Sequence, residues 1–203
     1  MAKKTPPIIA TPDSILARLR DQTRTEHDAI EAALGLMAAS LTLDTYRRTL
    51  ERFYGYYRPV EEAVHAAGGW DSRGLDLGEW RKTPLLEADL LVLGVDTPQR
   101  LPLCLQLPSI VSAAGAFGAL YVMEGATLGG QFISRHTRQT LGVTPEAGGR
   151  FFYGYGDRTG EMWQTFRAAL VAFAATEEIQ NGVVEAAVET FRTLREWCQG
   201  GRS

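Results

Sequence analysis

The chain has 203 residues, 45% of them hydrophobic and 22% charged, a composition that fits one globular domain with a core large enough to stand without staples. A net charge of −3 gives no general attraction to nucleic acid or to anionic lipid. Cys104 and Cys198 show no CxxC spacing, which argues against a disulfide framework and fits a reducing compartment.

The opening MAKKTPPIIATPDS lacks the apolar segment of a signal peptide, so residues 1–10 are expected to be a flexible lead-in and the protein to be cytoplasmic. The first helix is expected to open at TPDS, with Thr11 as N-cap and Pro12 at the first helical position. Its inward stripe runs Ile15/Leu16, Leu19, Thr23, His27, Ile30 and Leu34, and Gly35 ends it. A second helix follows from Thr42 with Leu43, Tyr46, Leu50, Phe53, Tyr57, Val60 and Val64 in steps of three and four. A kink is expected at Pro59 and a stop at Gly68-Gly69. TPLLEADLLVLG gives a third, shorter helix with another Thr-Pro entry and a terminal Gly94. The fourth and longest spans about Ser109 to Thr140, and GGRFFYGYGDRTG is an aromatic, glycine-rich loop. A fifth carries Trp163, Phe166, Leu170 and Phe173 on one face, and a sixth runs from Thr176 with Val184, Ala187, Phe191 and Leu194 inward. Strand signals are nearly absent, so the reading is a single all-α helical bundle over residues 11–198, with 199–203 as a tail.

Within the fourth helix the stretch EGATLGGQF holds Gly125, Gly129 and Gly130. Three interior glycines weaken a helix by roughly 2.5–3 kcal/mol relative to alanine, so the bare backbone calls for a reason. A membrane span is one candidate, because Glu124 is the only charge between Ser109 and Ile133. A central carboxylate costs about 2.5–3.5 kcal/mol there, and few strong apolar residues offset it, so no membrane association is expected. Either another helix or a flat ligand approaches a face made of Gly118, Gly125 and Gly129 and widened by Gly130.

His27 is the second unusual residue. It sits on the apolar stripe, with Glu31 one turn later to accept from its other ring nitrogen and Arg20 and Arg24 beside it to meet ligand carboxylates. A lone inward histidine is more often an ordinary core residue. Together with the glycine face, the arginines and the aromatics, it suggests a haem bound through His27 with its open side against the glycines. Glu62-x-x-His65 is half of a di-iron motif without its partner, His136 falls at the exposed end of its helix, and no base lies near Cys104 in sequence.

LRDQTRTEHDAIE, LTLDTYRRTLERFYGYYRPVEEAV, LYVMEGATLGGQFISRH, FFYGYG and MWQTFRAAL occur in this order between Ser14 and Trp197. In these pieces the sequence resembles the haem oxygenases, most closely the bacterial branch found beside bacteriophytochromes. The resemblance implies cleavage of haem b to biliverdin, CO and ferrous iron with O₂ and electrons from a ferredoxin or reductase, and possible delivery of the bilin to a bacteriophytochrome. It implies His27 as proximal iron ligand, Glu31 as its hydrogen-bond partner, and Gly125, Gly129 and Gly130 as the distal helix. It implies Arg20 and Arg167 as propionate holders and Tyr57 as a distal-pocket tyrosine. One departure is Ala126, where the animal-type pattern has an aspartate. The alternatives are a non-catalytic haem-binding or sensing protein on the same fold, and a thiaminase-like helical enzyme whose nucleophilic cysteine has no place here.

Overall fold

The computed structural model describes residues 12–200, so the expected cap Thr11 and the tail beyond Gly200 lie outside the described residues. Six helices and one isolated turn of helix follow in order: α1 (Pro12–Leu34), α2 (Leu43–Ala66), α3 (Thr83–Val92), α4 (Ala113–Leu141), the single turn α5 (Arg150–Tyr153), α6 (Thr159–Phe173) and α7 (Glu177–Gln199). No strand occurs among the described residues.

Where the helices start is set by side-chain oxygens that satisfy the first free amides. Thr42 Oγ1 accepts from Thr45 N at 3.2 Å, Ser112 Oγ from Gly115 N at 3.2 Å, and Thr176 Oγ1 from Ile179 N at 3.3 Å. α4 therefore begins at Ala113 rather than near Ser109. The residues before it are held differently, with Ser109 N donating to Glu189 on α7 at 2.9 Å. α3 does not use its own threonine as a cap. Thr83 is its first helical residue, and the Glu61 carboxylate of α2 accepts the amides of Lys82 and Thr83 as well as the Thr83 hydroxyl. Helix ends behave as the glycines dictate: Gly35, Gly94 and Gly142 carry φ of +59°, +85° and +71°.

α2 continues through Pro59 to Ala66. A proline leaves the carbonyl four residues back without its helical donor, and that carbonyl, Gly55 O, accepts Cys104 N at 2.8 Å instead. The incoming loop lies so close that a Cβ on Gly55 would stand 2.4 Å from the Pro102 carbonyl oxygen. The break in the ladder has become a docking point for the segment that leads to α4.

α7 is the spine on which the functional helices lean. α1 and α4 both pack along it, while α2 packs on α3 and α4 on α5 and α6. Val183, Val184, Ala187 and Leu194 supply its buried face. Gly118 lets the spine approach α4 closely, because a Cβ there would lie 2.5 Å from the Val183 carbonyl oxygen. α1 is tied to α7 at its rim by Arg195 to Glu26 at 3.1 Å and Arg18 to Gln180 at 3.1 Å. No helix among the described residues is long and apolar enough to cross a membrane.

Candidate functional site

Between α1 and α4 lies a cavity of about 500 Å³, within the range of roughly 300–1,000 Å³ usual for small-molecule sites. Its walls are mostly apolar: Ile30 and Leu34 from α1, Phe53 and Tyr57 from α2, Phe151 from α5, Trp163 from α6. His27 stands on the α1 wall and Gly125 and Gly129 on the α4 wall. The two helices that carry the sequence signals thus face one another across a single space.

His27 is not a core residue, since half of its side chain (49%) is open to the cavity and solvent. Its ring packs edge-on against Phe191 of α7, with centroids 5.7 Å apart and planes at 79°. Both ring nitrogens face carboxylates: Nε2 lies 3.6 Å from Glu31 Oε1 and Nδ1 lies 3.5 Å from Asp28 Oδ1. Glu31 is therefore beside the imidazole, as its spacing suggested, and Asp28 is a second candidate for orienting the ring that the helical period does not single out. Among the described residues these three are the one group of His, Cys, Asp or Glu side chains close enough to share a metal ion. Glu62 and His65 do not form such a group, and His136 Nε2 is 3.4 Å from the Ala38 carbonyl.

The glycines of α4 divide by what they face. A Cβ on Gly125 or Gly129 would meet nothing within 4 Å, so their bare backbone opens onto the cavity. Gly118 belongs to the α7 contact. Gly130, expected on the ligand face, turns to the other side, where a Cβ would lie 2.8 Å from the Phe152 carbonyl oxygen. Gly130 is thus a packing glycine for α5 and does not line the cavity. The physical reason is its angle: one residue beyond Gly129 is about 100° around the helix.

Arg20 borders the cavity and also a neighbouring groove between α1 and α6, which holds Arg167. Of the three arginines expected to meet carboxylates, Arg20 and Arg24 line the cavity itself and Arg167 reaches it only through the groove it shares with Arg20. Tyr57 is buried in the wall, edge-on to Phe151 at 5.2 Å and 88°. Burial pushes its hydroxyl well above the ordinary range, with the charges of Glu124 and Glu61 adding to the effect, so it stays a neutral hydroxyl. Burial likewise pushes the Cys198 thiol up to about 12 and raises Cys104, so neither is a ready thiolate.

Behind the α4 wall is a buried polar cluster that periodicity did not reveal. Lys82 Nζ donates to Glu124 Oε1 at 2.8 Å, both side chains being 2% exposed. The Tyr155 hydroxyl donates to Glu124 Oε2 at 3.0 Å and also receives Lys82 Nζ, which lies 3.8 Å from its ring centroid. Burial lowers Lys82 and raises Glu124, while their mutual attraction opposes both shifts. Two clues were present in the sequence: Glu124 is the sole charge in its apolar run, and Lys82 is the only lysine beyond Lys4.

The family model Heme oxygenase matches residues 13–200. A heme oxygenase of Xanthomonas campestris pv. campestris (strain 8004) is 32% identical over 133 residues, which cover 63% of this chain and 72% of that one. Among solved structures, the heme oxygenase from Leptospira interrogans superposes with a TM-score of 0.74 at 19% identity, over 92% of this chain and 99% of that one. The NO- and CO-bound heme oxygenase from Neisseria meningitidis gives a TM-score of 0.74 at 23% identity, over 91% and 92%. Heme oxygenase-1 from Synechocystis sp. PCC6803 in complex with heme gives 0.71 at 16%, over 93% and 92%.

Proposed function

The chain belongs to the haem oxygenase family and is an enzyme that degrades haem; from that premise we propose that the reaction takes place in the cavity between α1 and α4. The observation that carries this reading is the opposition of an open imidazole, His27, to two side-chain-free positions, Gly125 and Gly129, across one apolar space. The residues fit a haem: the walls are apolar, the α4 face is bare where a flat ring would lie against it, and Arg20 and Arg167 share the edge suited to carboxylates.

Bound haem supplies both the redox-active iron and the ring that is opened to biliverdin, CO and ferrous iron. The protein contributes placement. His27 would hold the iron through one ring nitrogen, with Glu31 beside Nε2 or Asp28 beside Nδ1 left to accept from the other and so set its tautomer and orientation. Gly125 and Gly129 let the α4 backbone approach the ring without a Cβ between, and offer peptide groups in place of side chains. Tyr57, kept neutral by burial, joins Phe53, Phe151 and Trp163 in making the wall aromatic and mostly apolar. Gly130 serves this face indirectly, by letting its helix seat against Phe152.

O₂ and electrons from a ferredoxin or reductase complete the reaction in this reading. A cytoplasmic location and delivery of the bilin to a bacteriophytochrome, as in the branch the sequence resembles, belong to the same proposal. The test is a haem titration followed by reductant and O₂ under absorbance. A Soret band that decays into a bilin spectrum with release of CO is expected. A Soret band that survives repeated reduction and oxygenation would leave a haem-binding protein without turnover.

A further inference from the structure

Gly125 and Gly129 have no side chains with which to hold their own position, and the helix around them is intrinsically weak. Its geometry has to be imposed from the opposite face. There the chain from Phe152 to Tyr155, the end of α5 and the two residues after it, runs back along α4 as a strap. Tyr155 meets Glu124, Gly154 receives the Thr127 side chain, the Tyr153 carbonyl accepts Gln131 Nε2 at 2.8 Å, and the Phe152 backbone lies on Gly130. Phe151 and Phe152 at the start of this strap also line the cavity.

The Lys82–Glu124–Tyr155 cluster closes the upper end of the strap, one residue before Gly125. Apolar side chains of similar size would serve stability at least as well, because a buried ion pair costs desolvation that its attraction only partly returns. What apolar packing lacks is direction. The Glu124 carboxylate takes Lys82 on one oxygen and the Tyr155 hydroxyl on both, and the backbone amide of Lys82 is itself held by Glu61 on α2. Translation of α4 along its axis breaks these bonds, whereas Leu or Met contacts would slide.

We propose that Glu124, held by Lys82 and Tyr155, is a positioning residue for the bare α4 backbone, fixing the height of Gly125 and Gly129 over the bound haem. The inference rests on the reading of those two glycines as the face opposite His27. It assigns to the buried pair a geometric task in the reaction, separate from any contribution to folding.

The test compares Lys82→Met/Glu124→Leu, Tyr155→Phe and Gly129→Ala in the haem-loaded protein. The readouts are haem affinity by Soret titration, the C–O stretching band of the ferrous CO adduct, and turnover. The double variant replaces the pair by apolar groups and is expected to fold and bind haem like the parent. Its C–O band should shift or broaden, and its turnover should fall by about tenfold to a hundredfold, the scale of an ångström of misplacement. Tyr155→Phe should move the same readouts in the same direction by less, and it decides the matter if the double variant does not fold. A C–O band and turnover equal to the parent's, while Gly129→Ala displaces the band, would leave the cluster a structural feature only. A Gly129→Ala variant with an unmoved band would instead overturn the reading of the glycines, and this proposal with it.

Discussion

A glycine is a ligand-facing or a packing residue according to what a Cβ would strike, and Gly118, Gly125, Gly129 and Gly130, four of the five glycines of α4, test this directly. Gly125 and Gly129 face open space, so alanine there should add helix propensity of about 0.8–1 kcal/mol and meet no clash. Gly118 and Gly130 face carbonyl oxygens at 2.5 and 2.8 Å, so alanine there should destabilise by roughly 1–3 kcal/mol. Thermal unfolding of the four haem-free variants should therefore separate them by sign, and a uniform loss would contradict the partition. For Gly129→Leu the haem-free protein should still fold, while haem binding by Soret titration or turnover should be impaired. His27→Ala should remove the proximal bond and with it turnover, restored in part by added imidazole; normal turnover without imidazole would remove His27 from its role. The sequence marked His27, Gly125 and Gly129 by residue type and spacing alone. It did not separate Gly118 from Gly125, which share a face seven residues apart, because the period names a face and not its neighbour. α7 covers that face at Gly118, and the cavity opens about 10 Å further along the axis.

At the scale of elements, helical periodicity read α1, α2, α6 and α7 with most of their buried faces, since each buries one stripe against the bundle, while Leu43 at the start of α2 and His27 on α1, both on those stripes, are exposed. What it missed were the long-range polar ties: Glu61 capping α3, the pair Lys82–Glu124 across 42 residues, and Asp89 at the start of α5. Pairs of that separation leave no trace in a local pattern. Asp89 holds the amides of Arg150 and Phe151 at 2.8 Å each and so anchors the strap that backs α4. Burial pushes its carboxyl from 3.8 up to about 6, against the opposing effect of the two amides and of the Arg150 charge. Between pH 4 and 6 the folded protein then binds more protons at Asp89 than the unfolded chain does. Its contribution to stability therefore falls as pH rises through that window and is level above it, by about 3 kcal/mol in all. Asp89→Asn does not titrate. The unfolding free energy of the parent minus that of Asp89→Asn, followed by denaturant titration, should decline from pH 4 to pH 6. A difference that rises over this range would show that the amides outweigh burial.

For the molecule as a whole, the consequence lies in how α1 and α4 are supported. Each packs on α7, and between them stands the cavity, with the Thr23 and Tyr121 side chains meeting directly across it. α4 is also backed by α5, α6 and the strap, whereas α1 rests on α7 and α6 and is held at its rim by Arg195–Glu26. The α1 turn that carries His27, Asp28 and Glu31 leaves those three side chains exposed beside the cavity. On the proposed placement, haem bound across the space would join the two walls, and ligand linkage should raise the unfolding free energy by about 2.7 kcal/mol at a free concentration one hundred times Kd. The added protection should be unequal along the chain. Amide hydrogen exchange in α1 around residues 25–31 is expected to slow strongly on haem binding, because local opening there no longer leaves the spine undisturbed. The Val183–Leu194 stretch of α7, already buried in the haem-free protein, should change little beyond the global increment. Equal protection of both segments would mean that α1 does not open independently of α7, and that haem enters without displacing the helix that binds it.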